Sequence, residues 1–267
     1  MSVVFGMPTL IELSDISDNF ALCKELGLDF IEINMNLPQY QVHSFPVQWC
    51  KRLMQEHGKF LTIHLDENVD ACNFNSAVAN AYLGTMVGTI GIAKELRVPV
   101  INMHFAEGVY FTLPDKKVYL FEKYRDHFIE RVLALRETCE KAIAGAGVTI
   151  CIENCGMFQE FQREGIRLLL KSPAFALTYD IGHDYSADDA NEQFILANAD
   201  KLKHMHIHDA TRTKNHMVLG TGEVDIAAKI ELARRSNCRC VLETKTIDGL
   251  RQSVGFIHKN DMRMKKE

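Results

Sequence analysis

The chain has 267 residues, 47% hydrophobic and 24% charged, enough apolar material for one sizeable core. Its 30 Lys and Arg against 35 Asp and Glu leave a net charge of -5, so no general attraction to nucleic acid or to an anionic membrane is expected. The opening MSVVFGMPTLIELSD lacks a basic segment, and no run of about 18 apolar residues follows; neither a secretion signal nor a membrane span is expected, and the location is read as cytoplasmic.

Taken in chain order, short β-rich runs alternate with segments of helical period. A strand is expected near residues 3–7, then a helix over 15–26 that stops at Gly27. A strand at 29–34 leads to a helix over 46–57 that stops at Gly58, and both glycines suit left-handed C-caps. Residues 60–65 read as the third strand and 75–96 as a closely packed helix, although each interior glycine costs about 1 kcal/mol relative to alanine. After a strand at 99–104, Leu120, Tyr124, Phe128, Val132, Leu135, Cys139 and Ile143 recur at three- or four-residue steps. They predict one helical stripe facing the core within residues 117–144. The last strands are expected at 148–153, 175–180, 203–208 and 239–243.

Eight such units without a linker predict an α/β fold, a single (β/α)8 TIM barrel domain over residues 1–267. The eight cysteines form no C-x-x-C pair and lie among apolar neighbours, which predicts reduced, buried thiols.

Ionisable side chains gather at one end of the strands. They are Glu32 in IEIN, His64 in TIHLD, His104 in NMHFAEG, Glu153 in CIENCG, Asp180 and His183 in TYDIGH, His206, His208 and Asp209 in HMHIHD, and Glu243 in LETK. In a parallel barrel these ends converge on one face, where active sites of this architecture lie. Taken alone, His104 reads as a hydrogen-bonded loop residue, and Glu32 equally as a functional residue or as a mouth residue bonding a loop amide. Taken together, crowded carboxylates repel one another unless a cation or proton compensates, and a metal is the economical expectation.

On these residues the chain resembles the xylose-isomerase-like barrel superfamily, which includes sugar epimerases, inositol-catabolism enzymes, hydroxypyruvate isomerase and endonuclease IV. The resemblance is carried by I-E-N at 152–154, D-I-G-H at 180–183, H-x-H-x-x-D at 204–209 and E-T at Glu243. It implies one divalent metal (Mn, Mg, Co or Zn) held by Glu153, Asp180, His206 and Glu243. His206 is preferred over His208 because the family's ligand precedes the aspartate by three positions, although strand alternation points both the same way. His64 and His104 would add nitrogen ligands for a second zinc, as in endonuclease IV.

His183 and Arg212 match substrate-contacting positions of ketose 3-epimerases, whereas a glutamate of those enzymes is replaced by Gln159, with Glu160 one step late. His183 and His216 match ligands of a third metal in endonuclease IV, but Lys214 stands where that site needs an aspartate. The block from His216 to Asp225, with Gly220 and Gly222, is similar to a loop of sugar isomerases and epimerases. The resulting expectation is isomerisation or epimerisation of a small sugar or hydroxy-carbonyl compound by enediolate proton transfer, with Glu153 and Glu243 as acid and base. His64, His104, His183, Arg212 and His216 are expected to contact the substrate, and Lys245 is a further candidate cation for its distal end. Trp49 and Phe105 are pocket candidates whose simpler reading is packing. The alternative is an endonuclease IV-like phosphodiesterase, against which the missing basic stripe counts. A homo-oligomer is compatible with the sequence.

Overall fold

The protein is described from a computed structural model over residues 3–262; the ends of the expected domain, residues 1–2 and 263–267, lie outside the described residues. In chain order the elements are β1 (Val4–Pro8), α1 (Ile16–Glu25), β2 (Phe30–Asn34), α2 (Val47–His57), β3 (Phe60–His64), α3 (Ser76–Leu96) and β4 (Val100–His104). Then come β5 (Tyr110–Thr112), β6 (Lys117–Tyr119), α4 (Leu120–Lys123), α5 (Arg125–Ile143), β7 (Thr149–Glu153), α6 (Glu160–Leu169) and β8 (Phe175–Asp180). The chain continues with α7 (Ile181–Ser186), α8 (Glu192–Ala197), β9 (Leu202–Ile207), β10 (Asp209–Thr211), β11 (Lys214–Met217), α9 (Ile226–Ser236), β12 (Arg239–Leu242) and α10 (Ile247–Lys259).

Eight strands close into a barrel in the order β1-β12-β9-β8-β7-β4-β3-β2, and every pairing is parallel. Each lies within one residue of its expected bounds at either end. A parallel barrel covers both faces of its sheet, which is why β8, FALTYD, is buried along its whole length. At the floor of the barrel Phe30 stacks on Phe60 at 5.0 Å. The Phe30 ring fills the place a Cβ on Gly6 would need, 2.6 Å away. Higher up, the interior turns polar: Glu32, Thr62, Asn102, Thr178 and His204 are all buried.

Two expectations need correction, and a third is only qualified. Residues 117–144 are not one helix: β6 pairs antiparallel with β5 as a hairpin, and α5 starts only at Arg125. Tyr119 joins a cross-strand pair with Tyr110, and Tyr124 is 51% exposed rather than part of the stripe. Phe128, Val132, Leu135, Cys139 and Ile143 are buried, so the stripe itself holds from Phe128 onwards. Secondly, α3 is long and apolar enough, by length and composition, to cross a membrane. Ser, Asn, Gly and Thr interrupt the apolar run, and a core helix passes the same test, so the expectation of no membrane span is not overturned; the helix packs beside α2 and α5 as one of the barrel's outer helices. Thirdly, Cys155 is exposed, while the other seven free cysteines are buried as expected.

Candidate metal centre

Strands β7, β8, β9 and β12 are neighbours in the barrel, so their ends bring together residues far apart in the chain. Glu153, Asp180, His206 and Glu243 offer ligand atoms that all lie within 4.8 Å of one another. His206 Nδ1 is the hub: it is 2.9 Å from Glu153 Oε1, 3.1 Å from Glu243 Oε2 and 3.8 Å from Asp180 Oδ2. Despite that proximity, His206 Nδ1 and Glu243 Oε2 are buried without an aligned hydrogen-bond partner. Buried polar atoms are ordinarily satisfied, and three carboxylates facing one imidazole form a mostly hard donor set. The four residues therefore fit a divalent cation.

The charge balance is tight. Burial alone would push Glu153 and Glu243 up, but His206 above all outweighs it and holds both carboxyls well below their usual range. Conversely, burial disfavours a charged His206, and Glu153, Glu32 and Glu243 together raise it well above its ordinary value.

Glu32 governs how His206 faces this group. Its Oε1 accepts from His206 Nε2 at 2.8 Å, and its Oε2 accepts from His204 Nε2 at 2.8 Å and from Thr62 Oγ1 at 2.9 Å. With Nε2 committed, Nδ1 is the nitrogen aimed at the carboxylates, and loss of its proton would free a lone pair there for a cation, the carboxylate–histidine arrangement common behind metal ligands. Glu32 is thus inside the barrel and bonds no loop amide. A charged residue flanked by apolar ones in a strand buried on both faces was the sequence signal for it.

His64 and His104 sit on the other side of Glu153, with Nε2 atoms 3.3 and 3.5 Å from Oε2. His64 Nδ1 donates to Leu65 O at 2.8 Å, which turns Nε2 inward. Asn102 also donates to Glu153 Oε2. His183, His208 and His216 form a third group beside Asp180, in which the Nε2 atoms of His183 and His216 are 3.2 Å apart.

Other expected contacts are engaged by neighbours or lie away from the tetrad. Arg212 is bonded to Asp189 Oδ2 at 3.0 Å and stacked 3.9 Å from the Tyr185 ring centroid, so its guanidinium is already engaged there. Lys245 Nζ bonds Glu243 Oε1 at 2.9 Å. Gln159 caps α6, and Glu160 pairs with Arg167 on the surface, which leaves the epimerase glutamate without a counterpart at either position. Phe105 packs on Phe128 and Trp49 lies under Arg52, so both are packing residues.

Asp209 anchors the loop that follows the β10–β11 hairpin. Its Oδ2 accepts from the N–H groups of Gly220 and Gly222 at 2.8 and 2.9 Å, and its Oδ1 from Val224 at 3.1 Å. Gly222 is required there because a Cβ would fall 2.3 Å from Asp209 Oδ1. Beside Glu243 opens a cavity of about 180 Å3, lined among others by Thr9, Asn34, Thr244 and Lys245.

The sequence matches the xylose isomerase-like TIM barrel family over residues 20–260. An uncharacterized protein of Methanocaldococcus jannaschii is 25% identical over 222 residues, which cover 79% of this chain and 76% of that protein. Among solved structures, a D-tagatose 3-epimerase-like protein superposes with a TM-score of 0.78 at 18% identity, covering 97% of this chain and 96% of its own. The IOLI protein with a binding zinc atom does so with a TM-score of 0.74 at 17% identity, covering 100% of each chain. At these identities the two structures establish a shared fold.

Proposed function

This chain belongs to the xylose isomerase-like TIM barrel family, and on that premise we propose that it is a divalent-metal-dependent isomerase or epimerase of a small sugar or hydroxy-carbonyl compound. The observation that carries this reading is the tetrad of Glu153, Asp180, His206 and Glu243 around His206 Nδ1, which has no aligned hydrogen-bond partner among the described residues. Neighbours of the same fold include a D-tagatose 3-epimerase-like protein and a zinc-bearing one, which supports a sugar substrate and a metal of the Mn, Mg, Co or Zn type.

A bound cation would polarise a substrate carbonyl and favour the charge of an enediolate. Glu153 and Glu243 approach from β7 and β12, with two strands between them. The metal-free protein holds both as carboxylates; in the reaction one, ionised, takes the carbon-bound proton, and the other, having first taken a proton from solvent, delivers it to the same carbon or its neighbour. His183 and His216, half-buried at the mouth, orient substrate hydroxyls. The cavity beside Glu243 takes the substrate's distal end, with Lys245 at its rim. Arg212 enters this scheme only if it leaves Asp189.

Substituting glutamine for Glu153 or Glu243 tests the scheme. Each metal-loaded variant should lose solvent-deuterium incorporation into the sugar that the parent exchanges, and undiminished exchange in both would remove the two-glutamate mechanism.

A second reading, metal-dependent phosphodiester hydrolysis, draws on two further ligand groups, His64–His104–Glu153, which shares Glu153 with the tetrad, and His183–His208–His216, which lies beside Asp180. Lys214, exposed on β11, gives the third group no carboxylate, and the net charge of -5 offers a polyanion little.

A further inference from the structure

We propose that His208 is a positioning residue of the candidate metal centre, fixing the Asp180 carboxylate through a ring tautomer that the main chain of His216 dictates. The inference rests on reading the tetrad as a metal site.

His208 is fully buried, and its Nε2 lies 3.0 Å from Asp180 Oδ1 and 3.1 Å from Oδ2. Its Nδ1 accepts from the His216 N–H at 2.8 Å. A ring nitrogen that accepts carries no proton, so the neutral imidazole has its hydrogen on Nε2 and donates it to Asp180. The carbonyl oxygen of Asp209 is also near Nδ1 but farther, at 3.3 Å, and does not compete with the shorter bond.

The surroundings are built for this ring. Gly182, in the D-I-G-H motif, could not carry a side chain: a Cβ there would sit 2.0 Å from His208 Cε1. On its other side the His216 ring stacks at 4.3 Å. His216 adopts φ 52°, an uncommon left-handed conformation for a residue with a side chain. That conformation belongs to the hairpin that delivers its N–H to His208, and Asp209 ties down the loop that follows.

Asp180 Oδ1 also accepts the His183 N–H at 2.7 Å. The carboxylate is therefore gripped from two elements, with Oδ2 turned towards His206 Nδ1. Donors behind a ligand fix its orientation, and their loss typically weakens metal binding 10–100-fold. The same geometry commits His208 Nε2 to Asp180 and removes it as a ligand for a cation between His183 and His216.

The full-length protein, stripped of metal, is titrated with Mn2+ by calorimetry and with Co2+ by its visible spectrum, beside His208→Gln, His208→Asn and His208→Leu. The glutamine amide can restore the donor to Asp180. Asparagine keeps an acceptor for the His216 N–H but cannot reach Asp180, and leucine does neither. His208→Leu and His208→Asn should bind about 10–100-fold more weakly with altered cobalt spectra, while His208→Gln stays within about threefold of the parent. If His208→Leu does not fold, His208→Asn carries the same expectation. Parent-like affinity in His208→Asn, or an equal loss in His208→Gln, overturns the proposal, even if melting of the metal-free variants shows lost stability. A parent that binds neither cation instead overturns the metal reading, and the proposal with it.

Discussion

Glu32 and His206, 174 positions apart in the chain, meet through a 2.8 Å hydrogen bond inside the barrel. That bond decides which imidazole nitrogen faces the three carboxylates, so a residue outside the tetrad sets the tetrad's chemistry.

Glu32→Gln should therefore weaken divalent metal binding about 10–100-fold, because the amide can donate to His206 Nε2 and favour the proton on Nδ1. Calorimetric titration of the metal-free protein with Mn2+ measures it. Unchanged affinity would show that His206 chooses its tautomer without Glu32.

Metal binding should also be linked to pH. Burial works against a charged His64, but Glu153 outweighs it and lifts the pKa from 6.5 to about 9. Its contribution to the metal-free fold is thus complete below 6.5 and lost as pH rises through about 9. A cation beside Glu153 competes with that proton, so affinity should climb across this window with proton release. Calorimetry in two buffers of different ionisation enthalpy counts the protons, and a count of zero contradicts the charge balance described here.

Two glycines should respond in opposite directions to alanine. Gly222→Ala forces a Cβ against Asp209 Oδ1 and the Ala210 carbonyl and should destabilise by about 1–3 kcal/mol. Gly91→Ala, within α3 and with nothing inside 4 Å, should stabilise by about 0.5–1 kcal/mol. Urea unfolding of both variants reads the two signs, and a stabilised Gly222→Ala would refute the tight loop.

Metal stoichiometry separates the two functional readings. One exchangeable cation per chain, removed together with proton-exchange activity and restored by Mn2+ or Co2+, is the expected result. Two or three tightly held zinc ions, counted by elemental analysis, would favour phosphodiester hydrolysis instead.

The barrel was legible because its signals are local. Each strand is a short β-rich run, and Gly27 and Gly58 end their helices with the positive φ expected of them. The polar strand ends were legible for the same reason, since alternation along β9 sets His204 and His206 on one face within a few residues. Residues 117–124 misled because Val118, Tyr119 and Leu120 suit a strand or a helix, and pairing with β5 settled it.

The sequence by itself determined that eight strand-helix units follow one another and that acids and histidines stand at one end of them. Tertiary structure alone decided which of these touch: that Glu32 reaches His204 and His206, that Arg212 is engaged by Asp189, and that His208 holds Asp180 rather than joining the tetrad. The physical reason is that alternation and period depend on neighbours in the chain. A hydrogen bond across the barrel depends instead on strand register and closure, which place donors and acceptors within about 3 Å of each other.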